Sequence, residues 1–158
     1  MSGMVVAPQP LAVEAGARVL MAGGNAVDAA VTCAFVQGIL SPHSCGVGGY
    51  VLLQMHRADG GVAALDAPAT AGAKVRPEMW ESALIRPNPE GWGFFLQGKV
   101  NDLGYASICT PGTVKGLATI LERWGTIPWD QAVEPASCLA EEGFMVGSDL
   151  ASTWQAKA

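Results

Sequence analysis

The sequence predicts a mixed α/β (α+β) core, and three stretches carry that assignment. Residues 10–40 read as two helices joined by a glycine turn, residues 50–65 as a β-hairpin, and residues 110–142 as further helices. The helices show in caps and apolar runs, the hairpin in sheet-favouring residues around a turn pair.

Met4-Val5-Val6-Ala7 is a short apolar run before Pro8 and is expected to form a buried strand. Pro10 suits the first helical position, where its missing N–H is an orphan anyway. From Leu11 to Ala22, Glu14 and Arg18 lie four apart on the outer face, while Ala12, Ala15, Val19 and Leu20 mark the inner one. Gly23-Gly24 ends this helix. Asn25 then caps the next, with Asp28 in the first turn where the dipole favours an anion. Between Ala26 and Leu40 the only polar side chains are Asp28, Thr32 and Gln37, so this helix is expected in a core. Ser41-Pro42 stops it. The two helices should pack as an αα-hairpin.

Tyr50 to His56 reads as a strand, Arg57 to Gly61 as a turn built on Asp59-Gly60, and Val62 to Leu65 as the returning antiparallel strand. The helical pair is expected on one face of this hairpin. Pro77 to Trp80 reads as a short helix. Arg86 to Gly93 holds two prolines and two glycines and cannot be one continuous element. Trp92, Phe94 and Phe95 beside it are expected to anchor a long loop to the core, in preference to forming a binding lip. Thr110-Pro111 reads as N-cap and first residue of a helix that runs to Trp124 and stops at Gly125. Trp129 to Glu142 is helical, with Pro135 kinking it or starting a second piece. Ser148-Asp149 is expected to cap a last helix.

The 158 residues suffice for one ordinary domain with a sizeable core. A hydrophobic fraction of 50% against 15% charged also suits one piece of a larger assembly. The net charge of −5 and pI near 4.9 give no electrostatic footprint for nucleic acid or an anionic membrane. No basic n-region with a long apolar run opens the chain, and the apolar stretch from Val27 to Leu40 is too short to span a bilayer. A cytoplasmic location is expected, or a periplasmic or secreted one if the true N-terminus is missing. Cys33, Cys45, Cys109 and Cys138 form no CxxC pair, and His43 and His56 are the only histidines. Neither a disulfide scaffold, a metal site nor a cofactor is expected.

Gly46-Val47-Gly48-Gly49 invites a nucleotide reading. A dinucleotide fingerprint needs strand, glycine turn, then helix; here the order is helix, turn, strand, and no GK[ST] follows. The turn is read instead as a tight passage where backbone runs close to another backbone or to a ligand. His43, Ser44 and Cys45 lack an orienting acid nearby and read as a polar turn. Cys33 reads as a small hydrophobe. Ser2 would become an N-terminal nucleophile on removal of Met1, but nothing around it supports more than the start of the chain. The residues alone provide no self-sufficient catalytic constellation.

Three blocks nevertheless resemble one family. VVAPQPLAVEAGARVLMAGGNAVDAAVTCAFVQGILSPHSCGVGGY, ALDAPATAGA and TPGTVKGLATILERWGTIPWDQAVEPASCLAEEGF, in that order, are similar to successive segments of the γ-glutamyltransferases, which hydrolyse or transpeptidate glutathione. Residues 81 to 107 match least. The resemblance implies an N-terminal-nucleophile hydrolase of the αββα sandwich type, of which residues 1–158 form the N-terminal part of the large subunit, a single incomplete domain. It also implies a precursor that cuts itself, freeing a Thr that attacks a γ-glutamyl amide with its own α-amine as base. The acyl group then passes to water or to an amino acid or peptide acceptor. That Thr belongs to the small subunit, and no Thr here aligns with it, so no catalytic residue is assigned to this chain and the chain alone is expected to be inactive. The implied partners are a small-molecule amide or peptide substrate and the small subunit of the same precursor.

The resemblance places one substrate contact within the chain. The family's Arg, which pairs with the substrate α-carboxylate, falls on Pro68; the next position, usually Glu, is Ala69, and the family's Pro is Gly72. Loss of the bidentate clamp puts γ-glutamyl specificity in question. Arg76, eight residues on, is a weak substitute. The other reading of the whole is an inactive truncated paralogue with a structural or assembly role.

Overall fold

Asn25 starts the central helix as its side chain dictates. The computed structural model describes residues 3–156, and Ser2 lies outside them. Asn25 Oδ1 accepts from the N–H groups of Val27 (2.8 Å) and Asp28 (3.0 Å), and Asp28 Oδ2 accepts in return from Asn25 N–H (2.8 Å), a complete capping box. The first helix, α1 (Pro10–Met21), carries Pro10 at its start and an exposed Glu14–Arg18 pair at 3.8 Å. It packs antiparallel along α2 (Ala26–Leu40), as the short glycine connection requires.

Residues up to Pro68 together with those from Gly112 form one compact unit, and Ala69–Pro111 form a second. In the first unit, β1 (Val51–His56) and β2 (Val62–Ala67) pair antiparallel in the register Val51↔Ala67 to His56↔Val62, the return strand running two residues past the expected Leu65. Gly60 at φ +82° and Asp59 Oδ1, accepting from Gly61 N–H at 2.8 Å, close the turn. The helix laid on this hairpin is α3 (Thr113–Trp124), not the α1–α2 pair. Gly116 explains the change: its missing side chain lets α3 settle against Val51 and Ala67. Val27 and Val31 from α2, Leu117, Ile120 and Leu121 from α3, and Ala132 from α4 (Trp129–Glu142) build the main core over the inward residues Val51, Leu53, Met55 and Leu65. Each of the large α3 side chains contributes about 2 kcal/mol by burial.

A second cluster joins Ala12, Cys33, Val36, Leu40 and Ala136. Val5 and Ala7 pack against it, but Met4–Ala7 pairs with no strand among the described residues. The α2 helix is also not enclosed all round. Ala26, Ala30 and Ala34 stay exposed on one side, where methyl-sized side chains leave little apolar surface. Pro135 sits inside α4 without dividing it, and α5 (Ser148–Gln155) begins after Gly147, one residue before the expected cap.

In the second unit, Pro77–Trp80 is a turn, and a 3₁₀ segment follows at Glu81–Ala83. β3 (Leu84–Pro87) and β4 (Phe94–Leu96) make a second hairpin around the Asn88–Gly93 loop. Its aromatics do not anchor the loop. Trp92 is fully exposed, Phe94 is 54% exposed, and Phe95 carries the Arg86 guanidinium at 4.3 Å from its ring centre. Thr110 is likewise no helix cap: it pairs with Thr70 in an isolated antiparallel bridge, with N–H···O distances of 2.8 and 3.0 Å, and α3 begins three residues later. Thr110→Ala is therefore expected to shift stability by less than about 0.5 kcal/mol in urea unfolding, where loss of an N-cap would cost about 1. Among the described residues no helix is long and apolar enough to cross a membrane.

Candidate functional site

Three segments meet where β2 ends. Gly112 N–H donates to the Gly49 carbonyl (2.9 Å) and Thr113 N–H reaches the same oxygen (3.3 Å), so the glycine turn is fastened to the start of α3. The opposite side of Gly112 lies on the end of β2. A Cβ there would run into the carbonyl oxygens of Ala67 and Pro68, and only glycine fits. Thr113 Oγ1 is buried at this junction and has no hydrogen-bond partner among the described residues. The turn itself is the tight passage the sequence predicts: Cα of Gly46 lies 3.2 Å from where a Cβ on Gly38 would be.

Pro68 stands exposed at this junction, directly after the last residue of β2. It offers a carbonyl and a ring, but no N–H and no charge. Arg76 belongs to the second unit, exposed, its carbonyl accepting from Met79 N–H at 3.2 Å. Among the described residues its guanidinium makes no ion pair.

The His43-Ser44-Cys45 turn is exposed, and its hydrogen bonds run to the end of α2. Ser44 and Cys45 N–H groups donate to the Ser41 carbonyl at 3.0 Å, and Cys45 Sγ contacts the Gln37 and Ser41 carbonyls at 3.5 Å. Among the described residues no carboxylate forms an ion pair with His43. Burial pushes the Cys33 thiol up, as suits a packing residue. Among the described residues no three His, Cys, Asp or Glu side chains converge.

What the sequence reading missed is the second half of Asp28's work. This carboxylate is fully buried, and it accepts from Thr126 N–H (Oδ1, 2.7 Å), Thr126 Oγ1–H (Oδ2, 2.6 Å) and Ile127 N–H (Oδ1, 3.3 Å). Asn25 Nδ2 donates to the Trp124 carbonyl at 2.8 Å. Burial pushes the Asp28 carboxyl up, but the bonds from Thr126, Asn25 and Ile127 outweigh it and hold the group below its ordinary range. Gly125 belongs to the same knot, since a Cβ there would lie 2.7 Å from Asp28 Oδ1. Gln37 ties the other end of α2 down, accepting from Gln9 N–H (3.2 Å) and donating to Ser41 Oγ (3.2 Å). The only signal for these ties was a polar residue inside an apolar helix.

Comparison with known proteins agrees with this architecture. Residues 12–158 match the family described as gamma-glutamyltranspeptidase. The acylase ACY 1 proenzyme of Pseudomonas sp. (strain SE83) is 38% identical over 144 residues, covering 91% of this chain and 25% of that protein. Glutathione hydrolase 2 of Arabidopsis thaliana is 37% identical over 135 residues, covering 85% of this chain and 21% of that protein. The crystal structure of Helicobacter pylori gamma-glutamyltranspeptidase superposes with a TM-score of 0.85 at 32% identity, covering 98% of this chain and 42% of that one. The chain thus spans about a quarter of the length of the relatives it matches. The α+β class and the N-terminal-nucleophile hydrolase resemblance both hold, and the chain belongs to the γ-glutamyltranspeptidase family.

Proposed function

We propose that this chain is the N-terminal part of the large subunit of an N-terminal-nucleophile amidohydrolase or acyltransferase, whose acyl group differs from γ-glutamyl. The observation that carries the second half is Pro68 at the end of β2, the position at which the resemblance expects a carboxylate-binding Arg. A proline there cannot form the charge-assisted fork that holds a glutamyl α-carboxylate. The nucleophile is a Thr outside residues 1–158, freed by self-cleavage of a longer precursor. Its hydroxyl attacks the amide carbonyl, its own α-amine takes the proton, and the acyl-enzyme passes to water or an amine acceptor. In that assembly the Gly49–Gly112 fastening keeps the β2 end, and so the floor beside the acyl group, at a fixed height.

Expression of the longer gene product tests both halves. Self-cleavage into two subunits is expected, with slow turnover of a γ-glutamyl anilide. Pro68→Arg is expected to raise kcat/KM for that anilide by about tenfold, the scale of one charge-assisted hydrogen bond. Cleavage without such a gain would move the carboxylate contact elsewhere, Arg76 being the first alternative. Neither cleavage nor hydrolysis of any acyl anilide would overturn the enzyme reading and leave the inactive paralogue.

A further inference from the structure

We propose that residues 71–109 are a self-closed, exchangeable insert that opens and closes without unfolding the rest of the chain. Three observations carry this. The chain leaves the first unit after Pro68 and re-enters it at Gly112, and these two points already touch, since a Cβ on Gly112 would run into the Pro68 carbonyl oxygen. Packing inside the first unit thus holds both ends together by itself, helped by the bond from Gly112 N–H to the Gly49 carbonyl. Among the described residues neither core cluster takes a side chain from 69–111, and within that stretch Leu96 alone is buried. Residues 81–107, which resemble the family least, fall wholly inside the insert.

The neck of the insert has a defined geometry. Thr70 N–H donates to the Thr110 carbonyl at 3.0 Å, and Thr110 N–H donates to the Thr70 carbonyl at 2.8 Å. Two residues that exchange both bonds in this way form the pair that flanks a two-residue hairpin turn, so an Asn-Gly turn fits between them. Beyond the neck the insert is stabilised from within. β3 pairs with β4, Asn101 Nδ2 donates to the Phe94 carbonyl at 3.0 Å, and the Arg86 guanidinium lies over the Phe95 ring. With one buried apolar side chain, it belongs at the low end of local stability. The entropy of closing a loop grows only slowly with its length, so the first unit is indifferent to how much chain the neck carries.

Two measurements on the 158-residue chain test the proposal. In the first, Asn-Gly replaces residues 71–109. The shortened chain is expected to unfold cooperatively in urea, with α2 and α3 amides protected from hydrogen exchange to within about tenfold of the intact chain. Loss of that protection by more than about a hundredfold overturns the proposal. In the second, the intact chain exchanges in rising, sub-denaturing urea. Amides of Thr70, Thr110, β3 and β4 are expected to exchange faster than those of α2 and α3 and to respond little to urea, as a small separate opening does. A common urea dependence across both sets overturns the proposal too, because the insert would then open only with the whole chain. So does an intact chain whose α2 amides are unprotected, since the core of the first unit would then not hold by itself.

Discussion

Asp28→Ala is expected to remove about 3–5 kcal/mol of stability, enough to leave a marginal domain largely unfolded. The substitution takes one acceptor from four donors at once: Asn25 N–H, Thr126 N–H, Thr126 Oγ1–H and Ile127 N–H. Each buried donor left alone costs about 1–3 kcal/mol, and water entering the gap recovers part of it. Urea unfolding followed by tryptophan fluorescence measures the loss. A drop below about 1 kcal/mol would mean that the knot is dispensable. Asp28→Asn isolates the charge, because it keeps the shape while turning an NH₂ toward groups that also donate. Its pH dependence carries a defined sign. The folded carboxyl lies below the ordinary value of 3.8, so its contribution is complete above that value and is lost as pH falls toward the folded one. The wild type should therefore lose stability on acidification through and below pH 3.8, and Asp28→Asn should show a shallower loss over the same window.

Gly112→Ala is the second large effect, expected to cost about 2–4 kcal/mol by overpacking. The added methyl meets the backbone of Ala67 and Pro68, with the Ala67 carbonyl carbon only 2.8 Å away, and backbone held in a hairpin cannot turn aside as a side chain can. Either α3 lifts from the hairpin or the β2 end shifts. In both cases Gly112 N–H and the Gly49 carbonyl separate, so on the proposed function the effect should appear in activity of the longer protein as well as in stability. Gly72→Ala is the control. A Cβ there meets nothing within 4 Å, and the change should stay within about 0.5 kcal/mol.

The elements that could be read from sequence are those whose signals are local. Asn25, the Gly23-Gly24 stop, the Pro10 start and the Asp59-Gly60 turn each act within four residues of themselves, and all appear where expected. Thr110 misled because its dipeptide with Pro111 is a sound cap signal, while its backbone was already committed to Thr70, forty residues away. Trp92 misled because aromatics are buried on average, and nothing nearby in sequence revealed that the hairpin tip turns outward. Pro68 stands out only through the family resemblance, since its proposed meaning is an absent Arg. The Asp28 partners were illegible for a plainer reason: they lie 98 and 99 residues downstream.

That separation has a consequence for how the chain is made. At roughly 5–20 residues per second, a ribosome delivers Thr126 some 5–20 s after Asp28 has been synthesised. Through that interval the α2 helix can form and close its own capping box, but its carboxylate lacks three of its four donors and resists enclosure in an apolar core. The α1–α2 pair is thus expected to dock fully only once the Trp124–Ile127 loop has arrived, which pulsed hydrogen exchange during refolding would show as late protection of α2.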